Sequence, residues 1–117
     1  MNYLRIKKNA DFQKLFNRGK RVFSPTLTLI YFPSNEPRMG VAVSKKHGKA
    51  VKRNRVKRLV REAFRQNVTL FERNYSVVIL PKAAESYALK DFDKSLKICI
   101  KKVNACESAS AKSSNRS

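Results

Sequence analysis

SKKHGKAVKRNRVKRLVREAFR, residues 44–65, is the stretch whose reading decides the fold, and it holds ten Lys or Arg residues against one acid, Glu62. Within it Val56, Leu59, Val60, Ala63 and Phe64 recur at i, i+3, i+4, i+7 and i+8. That is the spacing of a helix with one buried stripe. At about 100° per residue, Asn54, Arg58, Arg61 and Arg65 fall on the opposite side, flanked by Arg55 and Lys57. Arg53 projects nearer the apolar stripe. The pattern predicts a helix docked on a core, with a rigid cationic face turned outward. Like charges three and four residues apart repel by roughly 0.2–0.5 kcal/mol per pair. A solvated surface helix ordinarily mixes signs, whereas here Glu62 stands alone. An external polyanion is the partner that balances such a face.

Upstream of the helix, KKHGK (45–49) reads as a loop in which Gly48 permits a tight approach. RMGVAVS (38–44) reads as a strand, and PSNEP (33–37) as the turn before it. Over 22–32, Leu27, Leu29 and Tyr31 alternate with Thr26, Thr28, Ile30 and Phe32, so a second strand precedes the turn and the two form a hairpin. Residues 22–24 form a separate short strand before Pro25. Further upstream, Phe12, Leu15 and Phe16 mark a helix over 11–18, capped by Asn9 or Asp11 and stopped by Gly19. Downstream, YSVVIL (75–80) has the continuous apolar character of a buried strand and ends at Pro81. From Leu89 onward, Phe92, Leu96, Cys99, Ile100 and Val103 indicate a last amphipathic helix. ESASAKSSNRS (107–117) is small and polar, and is expected to be a disordered Ser-rich tail. The order α-β-β-β-α-β-α predicts an α+β fold. Its expected form is a two-layer α/β sandwich, with about four strands packed by three helices in one domain over 1–106.

The 117 residues suit one domain with a modest core. A formal charge of +19, from 27 bases and 8 acids, points to nucleic acid or an anionic membrane surface. No run reaches the roughly 18 apolar residues of a membrane span, and the N-terminal stretch lacks the apolar segment of a secretory signal, so a cytoplasmic location without membrane association is expected. Cys99 and Cys106 lie two helical turns apart, roughly 10 Å and too far for a disulfide. With His47 as the single histidine, no zinc site assembles at these spacings. No protein-bound cofactor or metal is expected.

VAVSKK followed by KAVKRNRVKRLVREAFR closely resembles the signature of the bacterial ribonuclease P protein subunit. The family's Arg-Asn-Arg motif appears as Arg53-Asn54-Arg55. Around it stand Lys45-Lys46, Gly48, Ala50-Val51, Lys57-Arg58, Arg61-Glu62 and Phe64-Arg65. The resemblance extends upstream to DFQKLFNRGK (11–20) and downstream to YSVVILPKA, covering roughly the first hundred residues. It implies a subunit that binds a large catalytic RNA and helps remove the 5′ leader of precursor tRNA. The RNA carries the catalytic magnesium ions and performs the hydrolysis, so the protein is one component of an endoribonuclease and has no catalytic residue of its own. The fold implied is an α/β sandwich with a left-handed crossover around the basic helix. The implied contacts with the catalytic RNA are Lys45, Lys46, Lys49, Lys52, Arg53, Asn54, Arg55, Lys57, Arg58, Arg61 and Arg65. The implied leader cleft lies between the first helix and the sheet, with Phe12, Phe16, Lys8 and an aromatic of the long strand. Alternation leaves open whether that aromatic is Tyr31 or Phe32. The free protein is expected to be monomeric.

The residues support this division of labour independently. Hydrolysis by the protein needs clustered carboxylates or a histidine with a partner. The acids Asp11, Glu36, Glu62, Glu72, Glu85, Asp91, Asp93 and Glu107 are scattered. His47 sits between lysines, where an RNA contact or a loop role suits it better than general-base chemistry. A ribosomal or other structural RNA-binding protein shares the charge and size, but needs no aromatic groove. A DNA-binding factor would read bases through Asn54, yet there is no zipper or second apolar face for a dimer. A protein nuclease lacks the acids.

Overall fold

The computed structural model describes residues 3–84 and 86–116, with 108–116 as backbone alone. Five strands and three helices follow in the order β1 (Leu4–Arg5), α1 (Asn9–Arg18), β2 (Lys20–Phe23), β3 (Leu27–Pro33), β4 (Arg38–Val41), α2 (Ala50–Asn67), β5 (Tyr75–Pro81) and α3 (Leu89–Arg116). The α+β class is as expected. The sheet has five strands, not four, in the spatial order β1-β4-β5-β3-β2. β1 escapes sequence reading because it is two residues long and has no alternating pattern. It pairs parallel to β4, Leu4 opposite Arg38.

The expected hairpin between β3 and β4 does not form. β5 lies between them, antiparallel to β3 over seven pairs and parallel to β4 over four. The turn over 33–37 reverses the chain, but β5 takes the central place. Its YSVVIL run is apolar on both faces and reaches full burial only between two neighbouring strands. β4 and β5 are therefore joined by a crossover through α2.

The two faces of β3 divide the core. Leu27, Leu29 and Tyr31 join Met39, Val77 and Ile79 beneath α2 and α3. Ile30 joins Val78, Leu15 and Ile6, with Phe12, Phe16 and Phe32 packed against them. α1 thus covers part of the opposite face, and the expected two layers gain a short third. Gly40 permits its approach: a Cβ there would fall 2.6 Å from the Phe12 Cζ.

No side chain caps α1, whose N-cap position is Lys8 rather than Asn9 or Asp11. α3 continues through the segment expected to be a disordered tail, its backbone helical to Arg116, while Ser117 lies outside the described residues. The segment contains neither Pro nor Gly, so nothing in it stops a helix already begun. Glu107 also ties this end of α3 to the sheet. Its Oε2 accepts from Lys20 Nζ and from the Tyr31 hydroxyl, each at 3.0 Å. Near the other end, Asn67 donates to Asp93 at 2.6 Å and Lys97 pairs with the same carboxylate at 3.1 Å.

These contacts make the packing of α3 acid-sensitive. The Asn67 amide, then Lys97, holds Asp93 below its ordinary value of 3.8. At Glu107 burial pushes upward, but the bonds from Lys20 and Tyr31 outweigh it and leave the carboxyl below 4.5. A carboxyl depressed by folding stabilises the fold above its unfolded value, and that contribution is lost as the pH falls. Thermal melts from pH 7 to pH 3 should therefore show a steep loss of stability below about pH 4.5. Glu107→Gln should melt earlier at pH 7 and lose less on acidification.

Candidate nucleic-acid interface

α2 is seated by Val56, Val60, Ala63 and Phe64, each no more than 1 % exposed. Burying side chains of this size stabilises by about 1.5–3 kcal/mol apiece for the larger ones. The opposite face carries Asn54, Arg55, Arg58 and Arg65 exposed, with Lys57 and Arg61 half-buried at its margin. Lys45, Lys46 and Lys49 are exposed on the approach to the helix. The expected cationic face is therefore present and points outward.

Three of the predicted residues are more engaged than their neighbours. Arg65 donates from Nη2 to both carboxylate oxygens of Glu62, each at 2.8 Å, on the exposed surface. Such a pair is worth at most about 1 kcal/mol, so a phosphate can replace it. Lys52 donates to the Ala84 carbonyl at 3.3 Å and lies 5.6 Å from the centre of the Tyr87 ring. Arg53 is half-buried, and its Nε is shielded from solvent without a partner among the described residues. It sits toward the core, as the helical wheel places it.

Among the described residues, Arg55, Arg58 and Arg61 meet no carboxylate within ion-pair distance. Around Arg61 the neighbouring cations outweigh the opposing contribution of Tyr3. Burial lowers its proton affinity first, and the positive charge of Arg5 adds to this, with Arg58 contributing less. Arg5 and Lys7 escape sequence reading, since β1 alone brings them here. Arg5, Lys7, Lys57 and Arg61 rim a concavity of about 310 Å³ floored by Ile6, Phe12 and Gly40. This concavity joins the α2 face to the α1 side of the molecule.

On that side Phe12, Phe16 and Phe32 share one patch. Tyr31 is not part of it: it is 1 % exposed, on the other face, with its hydroxyl on Glu107. Burial, with hydrogen bonds to Cys106 and Glu107, raises the Tyr31 hydroxyl far above its ordinary value. Phe32 is the strand aromatic in the groove. Lys14 lies 5.4 Å from its ring centre. The groove beside it, about 310 Å³, is lined by Asp11, Lys14, Phe32, Arg38 and Ser76 among others. Lys8 is exposed at the start of α1.

His47 is a structural residue of the approach loop. It is 7 % exposed, accepts the Ser44 N–H at Nδ1 over 3.1 Å, and donates from Nε2 to the Pro81 carbonyl over 2.6 Å. The Ser44 side chain caps the same turn, and Gly48 leaves it with a φ of 99°, a conformation in which L side chains are strained. The loop feeding α2 is thereby tied to the end of β5. Among the described residues no three of His, Cys, Asp and Glu come together as a metal-holding group. Cys99 is buried, Cys106 is exposed, and both are free thiols. No helix among the described residues is long and apolar enough to cross a membrane. His47→Ala should lower stability by about 1–3 kcal/mol, the cost of orphaned buried groups, in chemical unfolding.

The sequence profile of the ribonuclease P family matches residues 1–104. The ribonuclease P protein component of Clostridium kluyveri is 43 % identical over 108 residues, covering 87 % of this chain and 96 % of that one. That of Clostridioides difficile is 38 % identical, covering 85 % and 90 %. Among solved structures, the Staphylococcus aureus RNase P protein superposes with a TM-score of 0.75 at 29 % identity, covering 87 % of this chain and 96 % of that one. The Thermotoga maritima RNase P protein gives 0.74 at 27 %, covering 84 % and 96 %. Profile, relatives and fold agree over nearly the whole described chain, and this chain belongs to the ribonuclease P protein family.

Proposed function

We propose that this chain, as the protein subunit of ribonuclease P, holds the catalytic RNA on the outward face of α2 and its approach loop, and takes the 5′ leader of precursor tRNA into the α1 groove. The observation that carries this reading is the set Arg55, Arg58 and Arg61, unpaired with acid, on a helix whose other face is locked into the core. A guanidinium grips phosphate with two parallel hydrogen bonds, and a fixed helix presents several at set spacings. Asn54, Arg65 and the lysines at 45, 46, 49 and 57 extend the same surface, with Lys52 and Arg53 at its inner margin. In this reading magnesium and the bond-breaking step belong to the RNA, the free protein is a monomer, and the assembly works in the cytoplasm.

The groove suits a leader of varied sequence. Bases stacked on aromatic rings gain about 1–3 kcal/mol each regardless of identity. Phe16 and Phe32 are half-buried, so each keeps accessible ring surface, while Phe12 lies over Gly40. Lys8 and Lys14 stand where leader phosphates would pass. Arg5 and Lys7, between the two surfaces, keep the path cationic.

With about six phosphates neutralised, the affinity for the catalytic RNA should fall with salt at a log–log slope of roughly −4 to −5. Arg58→Ala and Arg61→Ala should each weaken binding by about tenfold and flatten the slope by about 1. Unchanged affinity at near-physiological salt would remove α2 from the interface. The native protein should also lower the magnesium needed for cleavage of precursor tRNA by the cognate RNA.

Phe32→Ala tests the groove separately. It should weaken binding of leader-bearing precursor to the holoenzyme by about fivefold or more, with affinity for mature tRNA unchanged. Equal losses for both substrates would place the leader elsewhere.

A further inference from the structure

Val51 is 84 % exposed, well above Phe23 at 58 % or Leu4 and Leu70 at 48 %. It stands in the first turn of α2, among the bases of the cationic face. Beside it lies a concavity of about 570 Å³, shaped by Lys49, Val51, Lys52, Arg55, Ser86 and Tyr87. This volume is within the usual range for small-ligand pockets, about 300–1,000 Å³. The Tyr87 wall is pre-organised. Its ring stacks on Phe92 at 5.8 Å and 17°, and its hydroxyl accepts the Ala84 N–H at 3.0 Å. The floor is apolar, from the Val51 methyls and the tyrosine ring, and the Lys52 ammonium lies 5.6 Å from the ring centre. The rim is cationic, with Lys49 and Arg55 exposed.

An apolar protein segment would suit the floor but would not use the rim. A regular duplex would suit the rim but leave the floor wet. An unpaired nucleotide suits both, with a flat, weakly hydrated base and a phosphate on either side. We infer that this concavity seats one unpaired base of the catalytic RNA against Val51 and Tyr87, with the neighbouring phosphates on Lys49 and Arg55. The inference rests on the reading of α2 as the helix that grips that RNA. Tyr87 packs against the core beneath α2 and α3, while the α1 groove lies on the opposite face of the sheet. The occupant is therefore the RNA subunit rather than the leader.

The test uses the full chain reconstituted with ribonuclease P RNA. Val51→Ser should raise the dissociation constant by about fivefold, the loss expected when the apolar methyl contact is removed. Its salt slope should stay at the native value, because no phosphate contact is removed, in contrast to Arg58→Ala. Val51→Phe enlarges the floor and should keep or tighten the affinity. Chemical probing should show one unpaired nucleotide protected by the native protein and reactive again with Val51→Ser. Val and Ser have similar helix propensities, so the melting temperature of an exposed-site variant should hold. Affinity within twofold of native for Val51→Ser overturns the inference, as does a loss accompanied by a flatter salt slope. Self-association of the free protein that Val51→Ser abolishes, with RNA affinity intact, overturns it too and makes the patch a contact between copies. If Arg58→Ala weakens binding and Val51→Ser does not, the seat alone fails. If neither does, the α2 reading fails with it.

Discussion

Everything in this molecule depends on one helix being held by its apolar side while its charged side goes unbalanced. Repulsion between like charges along α2 costs a few tenths of a kcal/mol per pair, roughly 0.2–0.5. Burial of Val56, Val60 and Phe64 returns about 1.5–3 kcal/mol each. The buried stripe therefore wins, and the cations stay in register without an internal counter-charge. A flexible tail with the same composition would pay the ordering entropy of each side chain on meeting RNA. Here folding has already paid most of the backbone share.

The sheet turns that one helix into a two-sided device. β5, buried on both faces, separates a large core under α2 and α3 from a small one under α1. The small core leaves aromatic rings partly open, and the large core fixes the arginines. The two surfaces meet at the edge strand β1, where Arg5 lies beside Arg61 and adds its positive charge to the burial that lowers the Arg61 proton affinity. Like charges brought together are destabilising unless an anion balances them, and Arg5, Lys7, Lys57 and Arg61 give that edge a cationic rim.

The helices were legible in the sequence because their signals are local. The stripe over Val56 to Phe64 and the Phe12–Leu15–Phe16 triplet need nothing beyond a 3.6-residue period. What failed was set by distant partners. The turn at 33–37 reads as a hairpin, but β5, some forty residues later, lies between its arms. The alternation in β3 fixes that Tyr31 and Phe32 point opposite ways, yet which one meets water depends on α3 and on Glu107, 76 residues from Tyr31. His47 reads as a loop polar group, and its role is set by the Pro81 carbonyl 34 positions on. β1 carries no periodicity at all, so Arg5 and Lys7 could not have been placed beside α2. The Arg-Asn-Arg signature itself was plain, because a resemblance needs no geometry.

The few acids explain why the division of labour with RNA is physically natural. Glu62 sits on Arg65, Asp93 on Asn67 and Lys97, Glu107 on Lys20 and Tyr31, and Glu36 on Arg38. Each brace is local or internal, and none of these carboxylates lies within ion-pair distance of Arg55, Arg58 or Arg61. A second acid on the α2 face would offset positive charge there. Gathering several to hold a metal ion would strip the fold of its braces and place negative charge in the path of a polyanion. A chain of this size can be organised to hold RNA or to carry a carboxylate-based hydrolytic centre at the same surface, and the placement of its acids serves the first.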